Sequence, residues 1–138
     1  SCHSPFNSFA HTDHSISHGV FDSIGRRNAP ALFNLAWQDK FMHDGAAHNL
    51  QAQSIAPLTS ATEMGTTLQN VWNALNSSPL YLDLFENAFG NAPSIPKALE
   101  ALETFQLNLI SSESKYDQVI LGAQEFTAQE SKGFKVFN

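Results

Sequence analysis

The stretch from Thr66 to Ile110 reads TTLQNVWNALNSSPLYLDLFENAFGNAPSIPKALEALETFQLNLI, and its spacing decides the fold class. Leu68, Val71, Trp72 and Leu75 fall at i, i+3, i+4 and i+7, so they share one face of a helix that Thr66 can cap. Ser78-Pro79 then supplies an N-cap followed by proline at the first helical position. Tyr81, Leu84, Phe85, Ala88 and Phe89 form one face, and Gly90 suits the helix end. Ser94 to Ile110 repeats the pattern, with Pro96 early and Ile95, Leu99, Leu102, Phe105 and Leu109 in one stripe, which predicts the longest helix of the chain. Downstream, a short helix is expected over Lys115 to Leu121. Thr127-Ala-Gln-Glu130 has the form of a capping box opening a last helix with Phe134 and Phe137.

Upstream the pattern changes. All six histidines (His3, His11, His14, His18, His43 and His48) lie in the first 48 residues, and Ser1 to Pro30 is rich in Ser, His, Asn, Asp and Gly without periodicity, which reads as a long loop. Ala31 to Trp37 is a candidate short helix. Another is expected to begin after Asp44-Gly45 and to run through Leu50 and Ile55 until Pro57 stops it. No alternating strand pattern, repeat or internal linker is present, so the expected class is all-α with five to seven helices and a His-rich loop in front.

Composition narrows the function classes. The 138 residues carry 13 acidic and 7 basic side chains, a net charge of -6, with no run of Lys or Arg, so neither nucleic acid nor an anionic membrane surface is an expected partner. With 42% apolar and 14% charged residues the chain is too apolar for disorder, and it has no stretch long enough to span a bilayer. The single cysteine, Cys2, cannot form an internal disulfide.

Several residues carry possible chemistry, each with a plainer reading beside it. His11, His14 and His18 invite a metal reading, but structural zinc wants four ligands, usually with thiolates, and solvated loop histidines account for the spacing as well. Cys2-His3 matches the end of the C-x-x-C-H signature of c-type haem attachment, in which two thiols bond the haem vinyl groups and the adjacent histidine ligates iron, although such a dipeptide also arises by chance. Glu63, in a turn before Met64-Gly65, could move a proton, and Gln53, ten residues earlier on a predicted helix, could orient an oxygen substrate. Either could equally be a cap or a solvated side chain. Asp44-Gly45 reads first as a turn.

Taken in order, these fragments resemble the bacterial di-haem cytochrome c peroxidases and their MauG-like relatives. The resemblance is carried by Ser1-Cys2-His3-Ser4-Pro5, Ser17-His18-Gly19, Arg27-Asn28-Ala29-Pro30, Phe41-Met42-His43-Asp44-Gly45, Leu50 to Gln53, Pro57 through Glu63-Met64, Tyr81 to Phe89, Ala101 to Ser111, Ser114 to Asp117 and Gly133 to Phe137. It implies a cytochrome c-like domain over residues 1–126, lacking its first helix, with 127–138 as the start of a second cytochrome domain. The parent would carry two haem c groups, would be periplasmic, and would reduce hydrogen peroxide with electrons from a small donor protein of the cytochrome c or cupredoxin type. MauG-like oxidation of a protein substrate, or a non-catalytic haem- or metal-binding electron-transfer module, are the alternatives.

Residue by residue, the resemblance makes His3 the proximal iron ligand and Cys2 the second thioether attachment. It makes His18 the distal iron ligand, with His11 or His14 as alternatives. Glu63 matches the acid/base carboxylate and Gln53 its neighbouring amide, His43 stands where an electron-transfer tryptophan is common, and Asn28 matches a calcium-site residue. Without the first cysteine of the motif, this chain is expected to hold no covalently complete haem and to lack peroxidase activity alone. The missing first helix would leave the Ser94 to Ile110 stripe exposed. The tail Glu130 to Phe137 is expected to dock there, within the chain or from a second copy in a swapped dimer.

Overall fold

A capped helix needs a side chain to receive its first orphan N–H groups, and the sequence supplies one ahead of nearly every helix in the computed structural model, which describes residues 2–12 and 14–138. Among the described residues there are six α-helices and no β-strand: α1 (Leu50–Thr59), α2 (Leu68–Ser77), α3 (Pro79–Phe89), α4 (Ile95–Leu107), α5 (Lys115–Ile120) and α6 (Ala128–Phe137). The Asn49 side chain accepts from Ala52 N–H, Thr67 from Asn70 N–H and Ser94 from Lys97 N–H. Ser114 with Asp117, and Thr127 with Glu130, form complete capping boxes. Gly90, at φ +66°, ends α3 in the left-handed conformation that glycine adopts without strain. The all-α class and the helices after Met64 are therefore as expected, with α4 the longest, though the cap of α2 is Thr67 rather than Thr66.

Packing centres on α1 against α4. Leu35, Phe41, Ala47 and Leu50 form the buried cluster, with Leu32 against it and Leu50 only 2% exposed. Helix α4 also meets α2 and the single-turn 3-10 helix Leu35–Trp37. Phe9 packs edge-on against Phe33 and Phe105, with ring centroids 6.1 and 5.8 Å apart, which draws the early chain onto α4.

The early chain departs from expectation. It is not one long loop: 3-10 turns form at Pro5–Asn7 and Val20–Asp22, and isolated antiparallel bridges close at Ser4–Ala10, His18–Ile24 and Phe41–Ala47. Ser1 lies outside the described residues. The expected helix over Ala31 to Trp37 is reduced to Leu35–Trp37. Asn34 is held at φ +59°, its N–H donates to Leu109 O, and its side chain exchanges two bonds with the Ser111 backbone, so the chain here is tied to the end of α4. Nor does α1 begin at Gly45 or stop at Pro57. Residues 41–47 are used in the Phe41–Ala47 bridge, and Pro57 withholds only the N–H that would reach the Gln53 carbonyl, so the helix continues to Thr59.

The tail does not cover α4 within the chain. Phe134 of α6 packs with Tyr116 and Phe126, and Lys115 donates to Glu130, so α6 lies on α5 while Leu102 and Phe105 of α4 remain 42% and 50% exposed. The cause is local. A capping carboxylate at Glu130 is also within reach of Lys115, and three nearby aromatic rings find one another before the more distant stripe.

Lys115 and the Thr127 N–H hold the Glu130 carboxyl down to about 2 from its ordinary 4.5. A depressed carboxylate stabilises the fold fully above its unfolded value and ceases to do so as pH falls through its folded one. Docking of α6 on α5 is thus expected to weaken between about pH 4.5 and about pH 2. Amide hydrogen exchange within residues 128–137 should rise over that window, and Glu130→Gln should flatten the rise.

Candidate functional site

A histidine that ligates a metal through one ring nitrogen commonly has the other fixed by a carbonyl or carboxylate. Two of the histidines held that way are His3 and His18. His3 Nδ1 donates to Phe9 O at 2.5 Å, within the small loop closed by the Ser4–Ala10 bridge. His18 Nδ1 donates to the Asp22 carboxylate at 2.6 Å, one turn on, through the Val20–Asp22 3-10 helix. That hydrogen bond, then the charge attraction of His18, lowers the Asp22 carboxyl below the usual aspartate range. In both cases the acceptor cannot donate, so Nδ1 carries a proton and Nε2 is the nitrogen through which the ring would ligate a metal. Cys2 joins the two segments, its thiol donating to His18 O at 3.4 Å. The rings of His11, His14 and His18 stack in series at 5.6 and 5.0 Å.

Glu63 is brought to His18 by backbone. The α1 C-terminus wraps into a turn in which Glu63 N–H donates to Ser60 O, Met64 N–H to Pro57 O, Gly65 N–H to Ser60 O and Thr66 N–H to Leu58 O. Onto this turn the His18 loop closes, with Val20 N–H donating to Glu63 O at 2.6 Å. The approach is so tight that a Cβ on Gly19 would stand 2.0 Å from Thr62 O and 2.6 Å from Glu63 Cα. Only glycine fits. Gly65, at φ +58°, receives the Val20 side chain on the other side. The half-buried Glu63 and Gln53 therefore belong to one rigid unit, α1 with its terminal turn.

A cavity of about 130 Å³ lies beside His3. Leu32, Leu35, Phe41 and Leu50 form its inner wall, Gln53 and Gln106 supply amides, and the exposed Gln38, Met42 and His43 form its rim. His43 is oriented by the early chain, Nε2 donating to Asn28 O at 3.0 Å, and the adjacent Asp44 pairs with Arg27, whose guanidinium holds its carboxyl low. The Asn28 side chain is committed to protein, Nδ2 to His11 O and Oδ1 to Ala29 N–H. Among the described residues no three His, Cys, Asp or Glu side chains converge as a metal cluster. The donor set does fit haem: an imidazole with Nδ1 fixed, a neighbouring thiol, a second oriented imidazole on an adjoining loop and an apolar inner wall.

The structure thus groups His3, Gln53 and His43 at one cavity and joins His18 to Glu63 by a shared backbone contact, with Cys2 between the sets. Sequence reasoning missed Asp22, Gly19 and Gln106. Gln106 carried a readable signal, since a polar residue stands seven after Leu99 and four after Leu102, at an apolar position of the α4 register.

Gly19→Ala is expected to cost about 1–3 kcal/mol by overpacking, whereas Gly133→Ala, in the open on α6, should be neutral or gain up to about 1 kcal/mol. Urea denaturation of the two variants checks both signs.

Comparison with known proteins identifies the family. The family model described as di-haem cytochrome c peroxidase matches residues 1–125. Methylamine utilization protein MauG of Methylorubrum extorquens is 35% identical over 139 residues, covering 91% of this chain and 39% of its own length. Cytochrome c551 peroxidase of Pseudomonas aeruginosa is 33% identical over 127 residues, covering 89% of this chain and 36% of its own length, so the chain spans well under half of these relatives. A crystal structure of a MauG-like protein associated with microbial copper homeostasis superposes with a TM-score of 0.90 at 25% identity, over 99% of this chain and 41% of that one. A variant of the diheme peroxidase BthA from Burkholderia thailandensis shares the fold, with a TM-score of 0.79 at 22% identity and the same coverage. With donor set, fold and family model in agreement, the chain belongs to the di-haem cytochrome c peroxidase family.

Proposed function

We propose that this chain is the peroxide-reacting haem domain of a periplasmic di-haem peroxidase, which reduces hydrogen peroxide to water with electrons from a small redox protein of the cytochrome c or cupredoxin type. The observation that carries the reading is the backbone contact that holds the His18 loop against the Glu63 turn, on the helix that also bears Gln53. In that reading residues 1–126 are the peroxidatic domain and 127–138 open the next. No helix among the described residues is long and apolar enough to cross a membrane.

His3 and His18 would be the haem-iron ligands, His18 yielding its place to peroxide, and Cys2 would form one thioether. Haem supplies, when bound, the iron centre and the electrons that peroxide cleavage requires. Glu63 takes the proton from the near oxygen of peroxide and returns it to the far one, so that the departing fragment leaves as water. Gln53 donates a hydrogen bond to the far oxygen and holds it within reach of Glu63. Asp22 keeps the His18 ring in one tautomer and orientation, and the apolar wall of Leu35, Phe41 and Leu50 keeps bulk water from the reacting face. His43, exposed at the cavity rim and held by Asn28 O, would be the side chain through which electrons pass.

MauG-like oxidation of a protein substrate is the second reading, favoured by the 35% identity to a MauG and the TM-score of 0.90 to a MauG-like protein. Both readings need peroxide cleavage, so Glu63 is central to each. In the haem-loaded protein Glu63→Gln should lower peroxide turnover about a hundred- to ten-thousand-fold, with the haem absorbance unchanged. Normal turnover in that variant would remove Glu63 from the mechanism. Rapid consumption of peroxide without oxidation of a reduced cytochrome or cupredoxin would favour the second reading.

A further inference from the structure

Two polar rungs cross from α1 to α4 three residues apart on each helix. Gln51 Nε2 donates to the Glu103 carboxylate at 2.7 Å, and Gln106 Nε2 donates to Ser54 Oγ at 3.5 Å and to Leu102 O at 3.2 Å. The second rung is buried, with Gln106 6% and Ser54 7% exposed. Its direction is set by chemistry. Ser54 Oγ–H donates to Leu50 O at 2.9 Å, so the hydroxyl can only accept from Gln106, and the Gln106 amide must present its NH2 to Ser54.

Gln53 lies between these rungs and lines the same cavity as Gln106. One rung of the α1 ladder is also missing there: Gln53 N–H donates to Asn49 O, but Pro57 has no N–H for the Gln53 carbonyl. Rotation and axial slip of α1 at Gln53 are then resisted from outside, by the Gln51–Glu103 and Ser54–Gln106 bonds that flank it. The first of these is partly exposed and charge-assisted, free to re-form after small shifts. The second is buried, where a bond between helices is electrostatically stronger and less readily exchanged, so it is the more selective of register.

We propose that Gln106 is a positioning residue of the peroxide pocket: through Ser54 it sets the register of α1, and with it the reach of the Gln53 amide into the cavity. The proposal rests on the reading of Gln53 as the amide that holds peroxide. Gln106→Met keeps the volume and removes the bond, and Ser54→Ala removes the same bond from the other helix, so that one variant serves if the other fails to fold.

In the isotope-labelled chain the side-chain amide resonances of Gln53 should move in both variants, while those of Gln69 on α2 and Gln129 on α6 stay in place. In the haem-loaded protein Gln106→Met should lower peroxide kcat about ten- to a hundredfold. The same substitution in a Gln53→Leu background should cost nothing further. Unmoved Gln53 resonances in both variants, or an equal loss of turnover in the Gln53→Leu background, would overturn the proposal. Full turnover in Gln53→Leu alone, with Gln53 resonances still displaced by Gln106→Met, would support the positioning while overturning the peroxide role of Gln53.

Discussion

A single backbone hydrogen bond, Val20 N–H to Glu63 O at 2.6 Å, closes the early chain onto the helical part at the place where the chemistry lies. It can be this short because Gly19 has no side chain, and the facing Thr62 and Glu63 backbone fills the space a Cβ would need. Around it the other ties make sense. Cys2 donates to His18 O, His3 is set by Phe9 O, and Asn34 is pinned to the end of α4, so that the described residues before Leu50 are ordered by hydrogen bonds to specific partners rather than by a helix or sheet of their own.

That arrangement suits a site built around a prosthetic group. The buried apolar cluster, Leu35, Phe41, Ala47 and Leu50, is small, and it sits at the inner end of the cavity rather than away from it. Phe6 and Phe21 stand almost fully exposed on the same early segments that carry His3 and His18. Large rings on the loops that present the two oriented imidazoles are apolar surface that a haem face can cover, which is where a porphyrin-binding chain needs it. Helices α1 and α4 meanwhile provide the rigid frame, and their polar rungs fix the rotation of α1 that apolar packing alone leaves adjustable.

The legible part of the fold was the part made of local signals. Thr127 with Glu130, Ser114 before Lys115, Ser94-Ile95-Pro96 and Gly90 each act on a neighbour within one turn, and the stripes of α2 to α4 repeat at helical spacing, so sequence order carries the information. Ala31 to Trp37 misled for the opposite reason. Its composition favours helix, but Asn34 answers to Leu109 and Ser111, seventy-five or more residues away, and that pairing requires the left-handed backbone. Docking of the tail on α4 within the chain also misled, because the aromatic partners of Phe134 on the α5 side outcompete the α4 stripe by proximity.

The sequence by itself determined the all-α class, the presence and order of the helices after Met64, the family resemblance and the residue types available for the site, because caps, periodicity and motif order are properties of neighbouring positions. Only the tertiary structure decided that the Asp22 carboxylate orients His18, that Glu63 sits against its loop, and that Gln106 reaches Ser54 beside Gln53. Those facts depend on close approach between segments far apart in the chain, where an absent Cβ, a missing proline N–H or one buried amide settles which atoms can meet.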